Sequence, residues 1–484
     1  MNTRSYPELH RLFYPQSIAV VGVSPSVNTI PMDQGRNYIK GSINQNFMGK
    51  IYPVHPKAQD TLGFKTYASV KDIPGSVDLV IFTVPASAVL QVMEDCVEKK
   101  VKFVHLFTAG FSESEREEYA AIEQKLVQLA RSSGIRVVGP NCMGMYCPEG
   151  GLAFQPFFPY APGSTAFFSQ SGQMAGNFIL KASAKGLGFS KVVSFGNSSD
   201  LSASEFLEYL CHDDKTSVIG AYLEGLKDGR NFFNLAANVT VKKPLVIYKG
   251  GRTDGGSRAA KSHTAAIAGS MNVWESFCRQ TGIISVKSLD ELILTLSALQ
   301  RLQKPAGRNA AIIGGAGGGS VTMTDIAEAE GLLVPQLSQG TISELEKMIS
   351  PQGTSVKNPL DVGMRAFFEH DVFLKIVELV RDDPHIDALI FLQQLGLFHR
   401  FGGRKAVNMI IDMTLEAREI LKMPLMLVLE KEDAFGGEAF VKTAQERYND
   451  ENMATFPSVE MAARVTKNLA DYQQYLTNRA DRRS

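Results

Sequence analysis

Short apolar runs of strand length recur along the chain. Three of them lead into the same sequel, a turn rich in glycine and serine followed by a stretch with helical spacing of apolar residues. These are Ile18-Ala-Val-Val-Gly22-Val-Ser24, Thr165-Ala-Phe-Phe-Ser169-Gln-Ser171-Gly172 and Ala310-Ala-Ile-Ile-Gly314-Gly-Ala-Gly-Gly-Gly319. Other runs, such as Val77 to Val84, Val101 to Thr108, Ile135 to Gly139, Pro244 to Tyr248 and Ala388 to Leu392, alternate with amphipathic stretches. Such alternation predicts parallel α/β units, which bind ligands where strand C-termini meet helix N-termini. Turn-forming clusters at Cys147 to Gly151 and Gln303 to Gly307 mark candidate joints. The expected architecture is three consecutive parallel α/β domains, over residues 1–148, 149–304 and 305–484.

Composition narrows the function classes. The 484 residues match about three domains at roughly 100–200 residues each. With 44% hydrophobic and 21% charged residues the chain is globular, not disordered. Fifty Lys plus Arg balance fifty Asp plus Glu, which removes the electrostatic footprint of a nucleic-acid or membrane-surface binder. Five cysteines without a C-x-x-C pair argue against a disulfide framework and a thiolate metal site. We therefore expect no metal centre and a reducing, cytoplasmic location. Arg4, Pro7, Glu8 and Arg11 interrupt the N-terminal stretch, and no run approaches about 18 apolar residues, so neither a signal peptide nor a membrane span is expected.

The three turns are candidate anion sites. Gly22 lets the backbone turn tightly before Ser24, but neither G-x-G-x-x-G nor a P-loop is present, and a plain strand-turn-helix reads the same. Ser169-Gln-Ser171-Gly172-Gln173 places hydroxyls at a helix start, where free N–H groups and the helix dipole favour phosphate; an ordinary serine cap has the same sequence. Gly314 to Gly319 holds five glycines in six residues, an entropic cost that fits backbone approaching an anion closely. His263 lies in a loop of small residues with Arg252, Arg258 and Lys261 upstream, a setting for a mobile histidine that attacks phosphorus and carries a phosphoryl group. Glu224 follows a strand-like run and is either the acceptor for that histidine's N–H or a surface carboxylate.

Longer motifs are Ile51-Tyr-Pro-Val-His-Pro-Lys57, Ala109 to Glu113, Gly139-Pro-Asn-Cys-Met-Gly144, Ser169 to Gly172, Gly196-Asn197 with Asp200, Tyr222-Leu-Glu-Gly225 with Asp228 to Arg230, Ser262-His-Thr264 and Lys357-Asn-Pro-Leu-Asp361. In order and spacing they resemble the NDP-forming acyl-CoA synthetases of the succinyl-CoA synthetase superfamily, in particular the α-type subunit of ADP-forming acetyl-CoA synthetases. The resemblance implies a Rossmann-like CoA-binding domain followed by two flavodoxin-like ligase domains. It implies that His263 is phosphorylated and that Glu224 orients it. Ser171, Gly172 and Gln173 then begin one helix facing the phosphohistidine, and Gly315, Gly317, Gly318 and Gly319 begin another. Gly22, Ser24, Lys57, Val84, Pro85, Thr108 and Asn141 resemble positions around coenzyme A.

The implied chemistry interconverts acyl-CoA, phosphate and ADP with carboxylic acid, CoA and ATP, through an acyl phosphate and a phosphohistidine. ATP/ADP and Mg2+ belong in this reading to an ATP-grasp β-type partner subunit, because three domains leave no chain for that fold, and a homodimer or heterotetramer is expected. The chain departs from the family pattern at Ala265, at Gln173 and across Val27 to Phe47. Two other readings use the same scaffold: a CoA-dependent acyl or carbamoyl transferase, and a non-catalytic CoA-binding subunit.

Overall fold

The structure, a computed structural model, describes residues 6–24, 33–57, 59–114, 116–258, 270–315, 317–431 and 435–481. They form two compact units, Met1–Leu292 and Ile293–Ser484. The first unit contains two sheets. Strands β1 (Ser17–Val21), β2 (Lys50–Val54), β5 (Leu79–Phe82), β6 (Phe103–Leu106) and β7 (Arg136–Val138) pair in the order β2-β1-β5-β6-β7, all parallel. A small hairpin, β3 (Asp60–Thr61) with β4 (Phe64–Lys65), stands beside them. Every residue of β1, β5 and β6 is buried. Continuous burial is what parallel strands show when helices cover both faces, and it explains why these segments read as unbroken apolar runs.

The second sheet comprises β8 (Gly144–Tyr146), β9 (Pro162–Ser169), β10 (Phe189–Ser194), β11 (Val218–Leu223), β12 (Leu245–Lys249) and β13 (Ile284–Val286), in the order β13-β12-β11-β9-β10-β8. All pairs are parallel except β8 with β10. Strand β8 thus already belongs to this sheet, although it precedes the turn cluster at Cys147. The loop after β10 ties the two sheets together: Asn197 N–H donates to Pro140 O at 3.0 Å, Val137 N–H to Asp200 at 2.8 Å, and Arg136 bridges to Asp200 at 2.9 Å.

The second unit carries β14 (Ala310–Ile313), β15 (Ala388–Gln393), β16 (Leu425–Leu429) and β17 (Thr455–Phe456), parallel and in chain order. Helix Val459–Asp481 buries Val459, Ala462, Ala463, Val465 and Leu469 in one core cluster with Ile312, Ile390, Met426 and Val428 from the sheet. Burial of each larger side chain contributes about 1.5–3 kcal/mol. Among the described residues no helix is long and apolar enough to cross a membrane.

Candidate functional site

In the first sheet the chain winds from β1 outward to β2, then returns to place β5 on the other side of β1. Ligands of open α/β sheets bind at the carboxyl ends of strands at such a reversal. A cavity of about 400 Å³ opens there, lined by Gly22, Val84 and Pro85, together with His55, Thr83, Gln91 and Asp95. Gly22 has φ +96°, and a Cβ on it would stand 2.8 Å from Thr83 O, so only glycine lets β1 turn this close to β5. Ser24 and Lys57 are not among its lining residues. Ser24 N–H donates to Asp33 at 3.0 Å, and Asp33 also caps the next helix through Arg36 N–H. Lys57 is exposed, its N–H on His55 Nδ1 at 3.1 Å.

Thr108 and Asn141, grouped with these by sequence, do not line the cavity. The Thr108 hydroxyl donates to Val84 O at 2.7 Å, and Asn141 reaches Asn197 at 3.4 Å, facing the second sheet. His55, Gln91 and Asp95 were missed as cavity residues. The signal for His55 was in the Ile51 to Lys57 motif; nothing local marks the other two, which project from helix Val89–Lys99.

The second sheet reverses between β9 and β11, and a second constellation forms at their carboxyl ends. Ser169 Oγ accepts from Ser171 N–H at 3.1 Å and donates to Ser171 O at 2.7 Å. Ser171 caps helix Gly172–Ala184, its Oγ accepting from Met174 N–H at 3.3 Å. Gly172 and Gln173 supply the first N–H groups of that helix, the part with no intrahelical acceptor. Gln170 crosses to the neighbouring strand, where its Oε1 accepts from Glu224 N–H at 2.5 Å and Gly225 N–H at 3.1 Å.

Glu224 is 6% exposed, so it is not a surface carboxylate. Its Oε1 accepts from the Tyr222 hydroxyl at 3.3 Å, whereas Oε2 is buried with no hydrogen-bond partner among the described residues. Burial, and then the charge of Glu224, raise the Tyr222 pKa far above its ordinary value, so the hydroxyl remains a donor. A buried carboxylate oxygen without a donor is costly and calls for one from outside this set of residues. Gly250, on the chain that continues towards residue 263, packs here: a Cβ on it would lie 3.3 Å from Glu224 Cγ. His263 and Ala265 lie outside the described residues, as do residues 25–32.

In the second unit, Gly314 has φ +115° and its Cβ would meet Leu392 O at 2.6 Å, whereas a Cβ on Gly317, Gly318 or Gly319 would meet nothing within 4 Å. Gly315 also has a positive φ, +76°. Gly317 N–H donates to Asp361 Oδ2 at 3.3 Å, and Gly363 N–H to Asp361 Oδ1 at 3.2 Å. Asp361 is thus a brace for the glycine turn. Its neighbour Asn358 holds β14, its amide donating to Ala310 O at 2.7 Å and its carbonyl accepting from Ile312 N–H at 3.0 Å. Among the described residues no group of three His, Cys, Asp or Glu side chains could hold a metal.

Fold and site together define a class, a CoA-binding domain joined to a flavodoxin-like domain of the ligase type. A family model described as CoA binding domain matches residues 16–148, and one described as succinyl-CoA ligase like flavodoxin domain matches residues 162–299. The α subunit of ADP-forming acetate–CoA ligase II from Pyrococcus furiosus is 37% identical over 79% of this chain and 81% of its own length. ADP-forming acetate–CoA ligase II of Archaeoglobus fulgidus is 36% identical over 79% of this chain, which spans 57% of that longer protein. Dinucleotide forming acetyl-coenzyme A synthetase 1 of Ca. Korarchaeum cryptofilum, solved with phosphate and ADP, superposes with a TM-score of 0.82 at 31% identity, covering 97% of this chain and 98% of that one. The chain belongs to this family, the NDP-forming acyl-CoA synthetases, and matches its α-type subunits.

Proposed function

We propose that the chain is the CoA- and phosphate-handling subunit of an ADP-forming acid–CoA ligase. Phosphate attacks the acyl carbonyl of acyl-CoA, the thioester breaks, and CoA leaves with a proton as the free thiol. His263 then attacks phosphorus of the acyl phosphate, and the carboxylate leaves. The phosphoryl group finally passes from His263 to ADP, forming ATP, and the ligase direction reverses each step. The supporting observation is Glu224, whose buried Oε2 has no donor of its own among the described residues. An N–H of the His263 imidazole completes it, which fixes the tautomer and leaves the other nitrogen free to attack. The first N–H groups of helix Gly172–Ala184 and its dipole favour the phosphoryl group beside it.

Coenzyme A occupies the cavity at the ends of β1 and β5, with Lys57 pairing a phosphate as a point charge and Thr108 and Asn141 meeting the part that reaches the second sheet. ATP/ADP and Mg2+ bind an ATP-grasp partner, a reading supported by the relative named as a subunit alpha, and a heterotetramer is the assembly we favour. We read the domain limits as 1–148, 149–304 and 305–484, and the location as cytoplasmic, in keeping with five buried free cysteines. The test incubates the protein with labelled phosphate and a panel of acyl-CoAs, with and without the partner, and measures acid-labile phosphate on His263. Equal labelling of wild type and His263→Ala overturns the mechanism.

A further inference from the structure

Lys249 closes β12 and is 7% exposed, yet among the described residues no carboxylate oxygen lies within ion-pair distance of its ammonium. Its Nζ instead donates to two main-chain carbonyls, Glu224 O at 2.6 Å and Gly250 O at 2.5 Å. Burying an ammonium is costly, so a lysine held this way does something an apolar residue does not. The two carbonyls belong to the residue bearing the unpartnered carboxylate and to the first residue of the segment leading to His263. From the opposite side Gln170 holds the N–H of the same Glu224. The Glu224 peptide is therefore gripped at both ends, by an acceptor from the β9 turn and a donor from the end of β12.

We propose that Lys249 is a positioning residue for phosphoryl transfer: it locks the main chain of Glu224 to the start of the segment leading to residue 263, so that Oε2 is held at one fixed place. Lys249 touches no reacting atom and acts through Glu224. The inference rests on the ligase reading above. Its distal counterpart is Arg252, whose Nη1 donates to Val286 O at 3.1 Å and so fastens the chain just beyond Gly251 to the edge of the sheet.

The test uses the full chain with labelled phosphate and acetyl-CoA, and reads phosphohistidine formation. Because a displacement of about 1 Å at such a site costs on the order of 100-fold, Lys249→Met should slow labelling by about 100-fold. The half-saturating acetyl-CoA concentration should stay within about threefold, since no CoA contact is lost. Lys249→Arg, which keeps the charged donors, should recover labelling to within about tenfold of wild type. In a Glu224→Ala background Lys249→Met should cost less than about threefold, because both changes act through one group. Labelling at the wild-type rate, or a full additional loss on top of Glu224→Ala, overturns the proposal.

Amide exchange reads the clamp independently of the chemistry. The Glu224, Gly225 and Gly250 amides should exchange at least about tenfold faster in Lys249→Met, through local opening, with the rest of the sheet unchanged. Unchanged exchange there overturns the proposal even if the wild type takes up no phosphate, an outcome that sinks the ligase reading by itself. If Lys249→Met fails to fold, Lys249→Gln carries the same comparisons.

Discussion

The turn after β9 and the turn after β14 are built on one plan and finished in opposite ways. Each follows a buried parallel strand, opens a helix and has a carboxylate supplied by a neighbouring segment, Glu224 for the first and Asp361 for the second. In the second unit the outer edge of β14 carries only isolated bridges among the described residues, Asn309 with Leu333 and Ile313 with Leu360, before the chain crosses to β15. There both carboxylate oxygens are engaged, Oδ2 accepting from Gly317 N–H in the turn and Oδ1 from Gly363 N–H on the segment of Asp361 itself. At β9 the turn is held by Ser169, Gln170 and Ser171, and the carboxylate keeps Oε2 without a partner among the described residues. Side-chain bracing frees the acid in one turn; in the other the acid is itself the brace. On the ligase reading, a carboxylate kept for a ligand differs from a bracing one in which of its oxygens are already taken.

The sharpest way to break this contrast exchanges each acid for its amide. Glu224→Gln should lower phosphohistidine-dependent turnover by about 100- to 1,000-fold, in the range of losing an oriented acid–base partner, with little effect on folding. Asp361→Asn should do the reverse in kind. The amide is neutral and its nitrogen cannot accept, so one N–H group loses its acceptor and the other keeps only an uncharged one, at a cost of about 1.5–3 kcal/mol in the unfolding of the second unit. Turnover and chemical denaturation of both variants decide the matter, and a stability loss confined to Glu224→Gln reverses the assignment.

The next effect in size concerns why glycine begins the second turn. Gly314→Ala forces a side chain into the positive-φ region and brings its Cβ to 2.6 Å from Leu392 O. Strain and overpacking together should cost about 2–4 kcal/mol. Denaturant unfolding of the second unit reads this directly, and a cost below about 1 kcal/mol would show that β14 and β15 can separate there.

These elements differ in how far the sequence betrays them. The strand-turn-helix phrases around Gly22, Ser169 and Gly314 were legible because buried parallel strands write themselves as apolar runs and turns need small residues. For His263, small residues and cationic neighbours already pointed to a phosphoryl carrier; Glu224 needed the resemblance to a family, since a carboxylate after a strand looks alike whether it is buried or exposed. Gln170 lay inside the Ser169 to Gly172 motif and Lys249 just past an apolar run, but nothing local named their partners. Their partners are set by β11 lying between β9 and β12, an order fixed by crossovers that no window of sequence contains. The same holds for Asp95, which lines the same cavity as Gly22 only because a helix returns across the sheet. Lys357 to Asp361 was recognisable as a motif, but its work as a brace required the sheet to be assembled.

A smaller effect tests whether the serine bracing of the first turn is as ordinary as its sequence allows. Ser171→Ala removes the acceptor for Met174 N–H and should cost about 1 kcal/mol in unfolding of the first unit, the usual value of a helix cap. Ser171→Gly should cost only a few tenths of that, since glycine is tolerated at the cap. If phosphohistidine formation falls far more than stability in both, the hydroxyl contacts the phosphoryl group as well as the helix.

The least effect on stability carries the most pointed question about the second turn. Gly318 begins its helix, and a Cβ there would meet nothing within 4 Å. Gly318→Ala should therefore stabilise the second unit by about 0.4–1 kcal/mol, because the unfolded chain loses freedom that the folded turn does not need. A fold selected for stability alone has no reason to keep glycine at such a place. If the open space exists so that an anion can approach the main chain, the added methyl should slow phosphoryl transfer by about fivefold, equivalent to about 1 kcal/mol, while unfolding becomes harder. Opposite signs in the two measurements mark the turn as a ligand cradle. A variant both more stable and fully active would leave the positive-φ positions Gly314, Gly315 and Gly317 as the glycines of the run with a physical requirement, and would count against an anion approaching the main chain at Gly318.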